Sequence, residues 1–110
     1  CAFHKISCRL ESRYKRRPSI VATHNKTNPR DELGHFYLDS LVHEPAVIPY
    51  MMDLFGSDCI ALGSDYPFPL GEKHPGKMIK DMKLKKDITN WLYADTALKW
   101  LNLNRKDYEK

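Results

Sequence analysis

Long apolar runs are missing from this 110-residue chain: the longest, around Ala46–Met52, is interrupted by Pro49 and Tyr50. No segment therefore reads as a membrane span, and no membrane partner is expected. Cysteine is scarce. Cys1, Cys8 and Cys59 are odd in number and lack a repeated spacing, which argues against a disulfide framework, and no CxxC pair offers a thiolate zinc site. Three reduced thiols suit a cytosolic protein. No HxH or HExxH pair, no glycine-rich phosphate loop and no GxSxG elbow is present, so no local motif announces a metal, nucleotide or acyl-transfer site. Cys1-Ala2-Phe3-His4-Lys5 is not a secretory leader, and the lack of an initiator Met points to processing or to a piece of a longer chain.

What is present is ordinary globular composition, with 42% hydrophobic and 29% charged residues and a net charge of +4. The length suits one modest core, so residues 1–110 are taken as one domain segment. The positive excess gathers at Arg9–Arg17 and again at Lys77–Lys86. Such clusters attract nucleic acid or acidic substrates, but they also describe solvated helix faces. No nucleic-acid-binding motif accompanies them, and no nucleic-acid partner is expected.

Along the chain, Phe3, Ile6, Leu10 and Tyr14 mark one face of a helix that Pro18 stops at Arg17. Ser19–Leu33 reads as loop, and Gly34–Asp39 as a short aromatic strand. His43-Glu44-Pro45 opens a second helix, made apolar by Ala46, Val47, Met51, Leu54 and Phe55 and closed by Gly56. The run Cys59–Leu62 fits a strand buried on both faces, leading through Gly63 and Ser64 to Asp65. Tyr66–Glu72, with Pro67 and Pro69, is a stiff loop. Helical periodicity returns over Gly76–Leu84, Lys86–Tyr93 and Thr96–Leu101, with Trp91, Leu92, Leu98, Trp100 and Leu101 expected in the core and Asn102–Lys110 as a frayed tail. Strands alternating with helices predict a parallel α/β arrangement. Two strands do not close a sheet, and a complete (β/α)₈ barrel takes about 250 residues, so this chain would supply its last quarter to third.

Asp65 is the sharpest chemical candidate, because barrel enzymes place functional groups at the C-terminal ends of strands. A carboxylate there can bind a metal, accept a proton or simply cap the following turn. Of the five histidines, His35 and His43 stand beside predicted elements, yet a packing or surface role fits each better than that of a ligand.

The run Leu62-Gly63-Ser64-Asp65-Tyr66-Pro67-Phe68-Pro69-Leu70-Gly71-Glu72 closely resembles the last barrel strand and loop of the 2-amino-3-carboxymuconate-6-semialdehyde decarboxylase family, within the amidohydrolase superfamily. Phe36–Pro45, Asn28-Pro29, Leu33-Gly34, His74–Ile79, Ala97-Leu98 and Leu101–Leu103 extend the resemblance over nearly the whole chain. It implies the C-terminal part of a TIM barrel, α/β in class and incomplete as given. It implies zinc as cofactor, held in part by Asp65, and a cytosolic homodimer in which Arg9 grips a carboxylate of a small dicarboxylate semialdehyde in the neighbouring subunit's site. The activity implied is non-oxidative decarboxylation in tryptophan breakdown by the kynurenine pathway, which limits quinolinate and NAD formation. The family's histidine ligands and its catalytic histidine are expected upstream of Cys1, so no catalytic residue is assigned within the chain, which alone would be inactive. Departures gather near Arg9: the family carries glycine at Cys8, proline at His4 and a His-Gly pair at Ser12-Arg13, and Gly-Asn where Asp95-Thr96 stands. Two alternatives remain: another decarboxylase or hydrolase of aromatic acids in the superfamily, and a truncated, non-catalytic chain.

Overall fold

A computed structural model describes residues 2–109, with side chains from Lys5 onward. Cys1, Phe3 and His4, counted above among the thiols, the helix face and the histidines, lie outside the described side chains. The chain divides into two compact units, residues 1–36 and 37–110.

In the first unit, helix α1 (Ala2–Arg16) ends at the predicted place, with Arg17 N donating to Arg13 O at 2.7 Å. Its last turn carries Arg13, Lys15 and Arg16, which complement the negative end of the helix dipole. Its apolar face is only partly covered, since Ile6 and Leu10 are exposed while Tyr14 is half-buried and donates its hydroxyl proton to Lys26 O. The expected loop begins with a further turn, α2 (Pro18–Val21): Pro18 stops one helix and starts another, because a first-turn residue has no use for an N–H. Asn25 and Asn28 then accept from the backbone N–H groups of Thr27 and Arg30, each at 3.0 Å, which sets two tight turns.

The second unit opens with strand β1 (Leu38–Asp39), continues through α3 (Val47–Phe55) and returns in strand β2 (Ile60–Ala61). The strands pair in parallel, Leu38 against Ile60 and Asp39 against Ala61, so the expected strand–helix–strand crossover is present. Both strands are shorter than expected. Gly34 takes a positive φ and His35 N donates to Glu32 O, which keeps the chain turning before β1. After Asp39, its own carboxylate accepts from Leu41 N at 2.9 Å and bends β1 away. Before β2, Cys59 N reaches back to Gly56 O and draws Ser57–Cys59 into a 3₁₀ turn.

Helix α3 starts two residues after Pro45 and places Pro49 within its first turn, where four backbone donors lack partners in any case. It buries Ile48, Met51 and Phe55, and Gly56 closes it. Helix α4 (Lys77–Asp81) is cut short by Lys83 at φ 50°. Beyond it, α5 (Lys86–Asn90), a π-helical turn (Trp91–Asp95) and α6 (Thr96–Leu101) run on without a break. The core consists of Ile48, Met51, Phe55, Cys59, Ile60, Ile79 and Leu92, with Ser40 and Thr96 buried among the polar residues.

Two expectations need correction. Trp100 and Leu101 are 66% and 54% exposed rather than in the core. The final segment is not frayed: Asn102 adopts the left-handed cap, Leu103 N reaches Leu98 O at 2.9 Å, and Arg105 bonds Asp95 at 2.7 Å and Glu109 at 2.6 Å. Among the described residues no helix is long and apolar enough to cross a membrane.

Candidate functional site

Asp65 stands four residues past the end of β2, and the chain is steered there by close backbone approaches. Gly63 lies against the end of β1, where a Cβ on it would stand 2.6 Å from Asp39 Cβ, and its N–H donates to the buried Ser40 Oγ at 3.3 Å. Two steps on, Asp65 takes φ 55°, a left-handed conformation that aspartate tolerates better than most residues. Its carbonyl accepts from Phe68 N at 2.8 Å, Phe68 O accepts from Gly71 N at 2.9 Å, and Ser64 O accepts from Glu72 N at 2.8 Å. This closes Ser64–Glu72 into a loop with a bonded neck. Only glycine fits at position 71, since a Cβ would stand 2.6 Å from Ser64 O.

The loop carries the cis Tyr66–Pro67 bond and presents three large apolar side chains to the outside: Tyr66 at 88%, Phe68 at 65% and Leu70 at 79% exposure. The Asp65 side chain is itself exposed, and among the described residues it has no hydrogen-bond or ion-pair partner. It is thus not the side-chain cap that the bland reading of its sequence context allows. It is a carboxylate at the C-terminal side of a parallel pair, able to supply one hard oxygen donor.

A second feature gathers on the loops that follow both strands. A cleft of about 540 Å³ is lined by His43, Glu72 and His74, by the ion-paired Lys77 and Asp81, and by Met78 and Met82. The hydrogen bond from Lys77 to Asp81 holds the Lys77 ammonium above its ordinary pKa. Asp65 does not line this cleft, and His35 lies exposed in the first unit, so the structure does not collect the candidate histidines around the carboxylate. Among the described residues no group of three or more His, Cys, Asp or Glu side chains is placed to hold a metal ion. Zinc takes three or four protein ligands. The described residues therefore do not by themselves fit a zinc site.

Arg9 lies on α1 in the first unit, exposed and without an ion-pair partner among the described residues. Its neighbour Glu11 is taken by Lys15 at 2.7 Å and Arg30 at 3.2 Å, and the bond from Lys15 is the first cause of its lowered pKa. Sequence reading missed one arrangement altogether: the Asp58–Lys99 ion pair, at 2.6 Å, flanked by the Tyr37 and Trp91 rings. Forty-one positions separate the two charges, so no local pattern could have signalled it.

No protein-family model matches the chain. Two curated proteins do. A 2-amino-3-carboxymuconate-6-semialdehyde decarboxylase of Dictyostelium discoideum is 39% identical over 91% of this chain and 28% of its own length. A protein of the same name in Caenorhabditis elegans is 33% identical over 94% of the chain and 26% of its own length. The chain thus spans just over a quarter of the length of the curated relatives it matches. The resemblance carried by Leu62–Glu72 is borne out: over more than nine-tenths of its length this chain is similar to part of the sequence of 2-amino-3-carboxymuconate-6-semialdehyde decarboxylases.

Proposed function

We propose that this chain is the C-terminal part of a zinc-dependent decarboxylase built as a (β/α)₈ barrel, acting on 2-amino-3-carboxymuconate 6-semialdehyde in the cytosol. The single observation that carries the reading is Asp65: an exposed carboxylate without a partner among the described residues, at φ 55° just beyond a parallel strand. It stands inside Leu62–Glu72, the stretch on which the family resemblance was read. A left-handed backbone at an aspartate with no capping bond needs a reason, and strained positions of this kind gather at functional sites.

In the complete protein Asp65 would give one ligand to the metal, with the remaining ligands and the proton-transferring histidine coming from outside this chain. Zinc, once bound, supplies a Lewis acid and a water activated near neutral pH. Arg9 would bind a substrate carboxylate through the two parallel hydrogen bonds that a guanidinium offers, reaching into the neighbouring subunit of a homodimer. The role of the Ser64–Glu72 loop is to hold Asp65 in place through its bonded neck.

The test is made in the full-length protein. Asp65→Asn keeps the side-chain volume and removes the charge; metal content by atomic absorption and decarboxylase activity should both fall, with the circular dichroism spectrum unchanged. Full metal content and activity in Asp65→Asn would remove the assignment. A panel of aromatic acids assayed alongside the semialdehyde separates this reading from another decarboxylase or hydrolase of the amidohydrolase superfamily.

A second reading is favoured by a specific observation, the lack of any three-ligand group among the described residues. Taken alone, the 110-residue chain is non-catalytic. Dialysed against zinc, it should retain no tightly bound stoichiometric metal.

A further inference from the structure

The first unit holds the net positive charge of the chain. Residues 1–36 carry eight Lys and Arg against three Asp and Glu, whereas residues 37–110 carry ten against eleven. Within that unit the charge is not evenly neutralised. Glu11 serves Lys15 and Arg30 together, while Arg13, Arg16 and Arg17 have no ion-pair partner among the described residues.

Those three arginines line one cleft, of about 510 Å³, between the end of α1 and α2. Ser12 adds a hydroxyl, Ile20 and Val21 supply an apolar wall, and no acidic side chain lines the cleft. Guanidinium groups stay charged at any physiological pH, so three in one concavity repel each other unless an anion joins them. The volume falls in the range of small-molecule sites.

We propose that this cleft binds a ligand group bearing two or more phosphates. A single carboxylate offers one charge and two oxygens, too little for three guanidinium forks. A diphosphate offers several oxygens in the geometry that arginine pairs bidentately. Ile20 and Val21 would lie along the carbon skeleton that carries it. The proposal uses no residue of the Asp65 loop and does not depend on the decarboxylase reading.

The probe is sodium pyrophosphate, titrated calorimetrically into the whole chain at about 0.1 M salt, where exposed charges are screened beyond roughly 10 Å. Saturable binding is expected, weaker for inorganic phosphate. Arg13→Gln and Arg16→Gln should each weaken it by about tenfold or more, as loss of one charged hydrogen bond implies. Lys15→Gln, which removes a charge already paired with Glu11, should change it by less than about twofold, in line with the small worth of exposed pairs. Arg13→Lys and Arg16→Lys keep the helix-end charge, and with it the fold, yet should also bind more weakly because the fork is gone.

Flotation with phosphatidylcholine vesicles containing a phosphatidylinositol bisphosphate separates the two sources of such a group. Arginine-dependent vesicle binding tighter than pyrophosphate binding assigns a lipid headgroup; pyrophosphate binding without flotation assigns a soluble ligand. Either keeps the site. No saturable binding, equal losses in Lys15→Gln, full affinity in the lysine variants, or binding of single-stranded RNA without pyrophosphate would overturn it.

Discussion

Lys99 Nζ lies 2.6 Å from Asp58 Oδ2, with the Tyr37 and Trp91 rings centred 5.8 and 5.9 Å from the same nitrogen. Asp58 immediately precedes the approach to β2 and Lys99 sits on α6, so the pair ties the closing helix to the start of the strand whose far side leads to Asp65. In parallel α/β folds, chemistry gathers at the C-terminal ends of strands, and the opposite end serves stability.

The pair gives the chain a pH dependence of known sign. The Lys99 hydrogen bond, opposed by partial desolvation, holds the Asp58 carboxyl below the ordinary aspartate range, and Asp58 in turn raises Lys99. The contribution is therefore complete between about pH 4 and about pH 10, the ordinary values of the two groups. It is lost as pH falls through the lowered value of Asp58, or rises through the raised value of Lys99. Both side chains are more than two-fifths exposed, so the effect is modest and screened by salt. Urea midpoints measured from pH 6 to pH 2 should fall further for the wild type than for Asp58→Asn; parallel curves would show that the pair contributes nothing.

Cys59 should be slow to react. Burial, followed by the nearby Asp58 charge, raises its thiol pKa, and only 4% of the residue is exposed. Thiolate is the reactive form. Under a disulfide reagent at pH 8, Cys8, which is half-buried, should be modified before Cys59, and Cys59 only as denaturant opens the second unit.

Thr96 is fully buried, and among the described residues its hydroxyl has no hydrogen-bond partner. Thr96→Val removes that buried polar atom at almost constant volume and should stabilise the second unit by about 1 kcal/mol. A lower melting temperature in Thr96→Val would mean that the hydroxyl is bonded.

Leu92 and Trp100 should respond in opposite ways to their sizes. Leu92→Ala empties a fully buried position and should cost about 2–5 kcal/mol. Trp100→Ala trims a side chain that is mostly exposed and should cost less than about 1 kcal/mol. Equal losses in chemical denaturation would contradict the burial seen here.

Gly63→Ala should be destabilising by about 1–3 kcal/mol, the usual range for overpacking. The added methyl would meet the Cβ and Cγ of Asp39, which cannot swing aside while its carboxylate holds Leu41 N. Gly63→Ala at wild-type stability would show that β1 yields.

The elements came through in the sequence wherever a short-range rule fixes them. Pro18 ended α1, Gly56 ended α3, and the apolar run before Gly63 became the buried end of β2. The place of Asp65 after that strand was equally plain. Where side chains bond back to the backbone, sequence periodicity lost ground: Asp39 clipped β1, and Asn104, accepting from Lys106 N, turned an expected frayed tail into a capped 3₁₀ turn. The Arg13, Arg16 and Arg17 cleft was visible only as a basic run, because its concavity depends on the extra turn after Pro18.

The π-helical turn at Trp91–Asp95 acts as a phase shifter in the last helix. A regular α-helix advances about 100° per residue. One extra residue in a turn therefore rotates everything beyond it, from Thr96 onward, by roughly that angle relative to an uninterrupted helix, and it is in this rotated phase that α6 buries Thr96 and leaves Trp100 and Leu101 exposed. Deleting a single residue from this turn would restore regular winding and turn α6 about its own axis. Thr96 would leave its buried place, and Lys99 would lose its reach to Asp58.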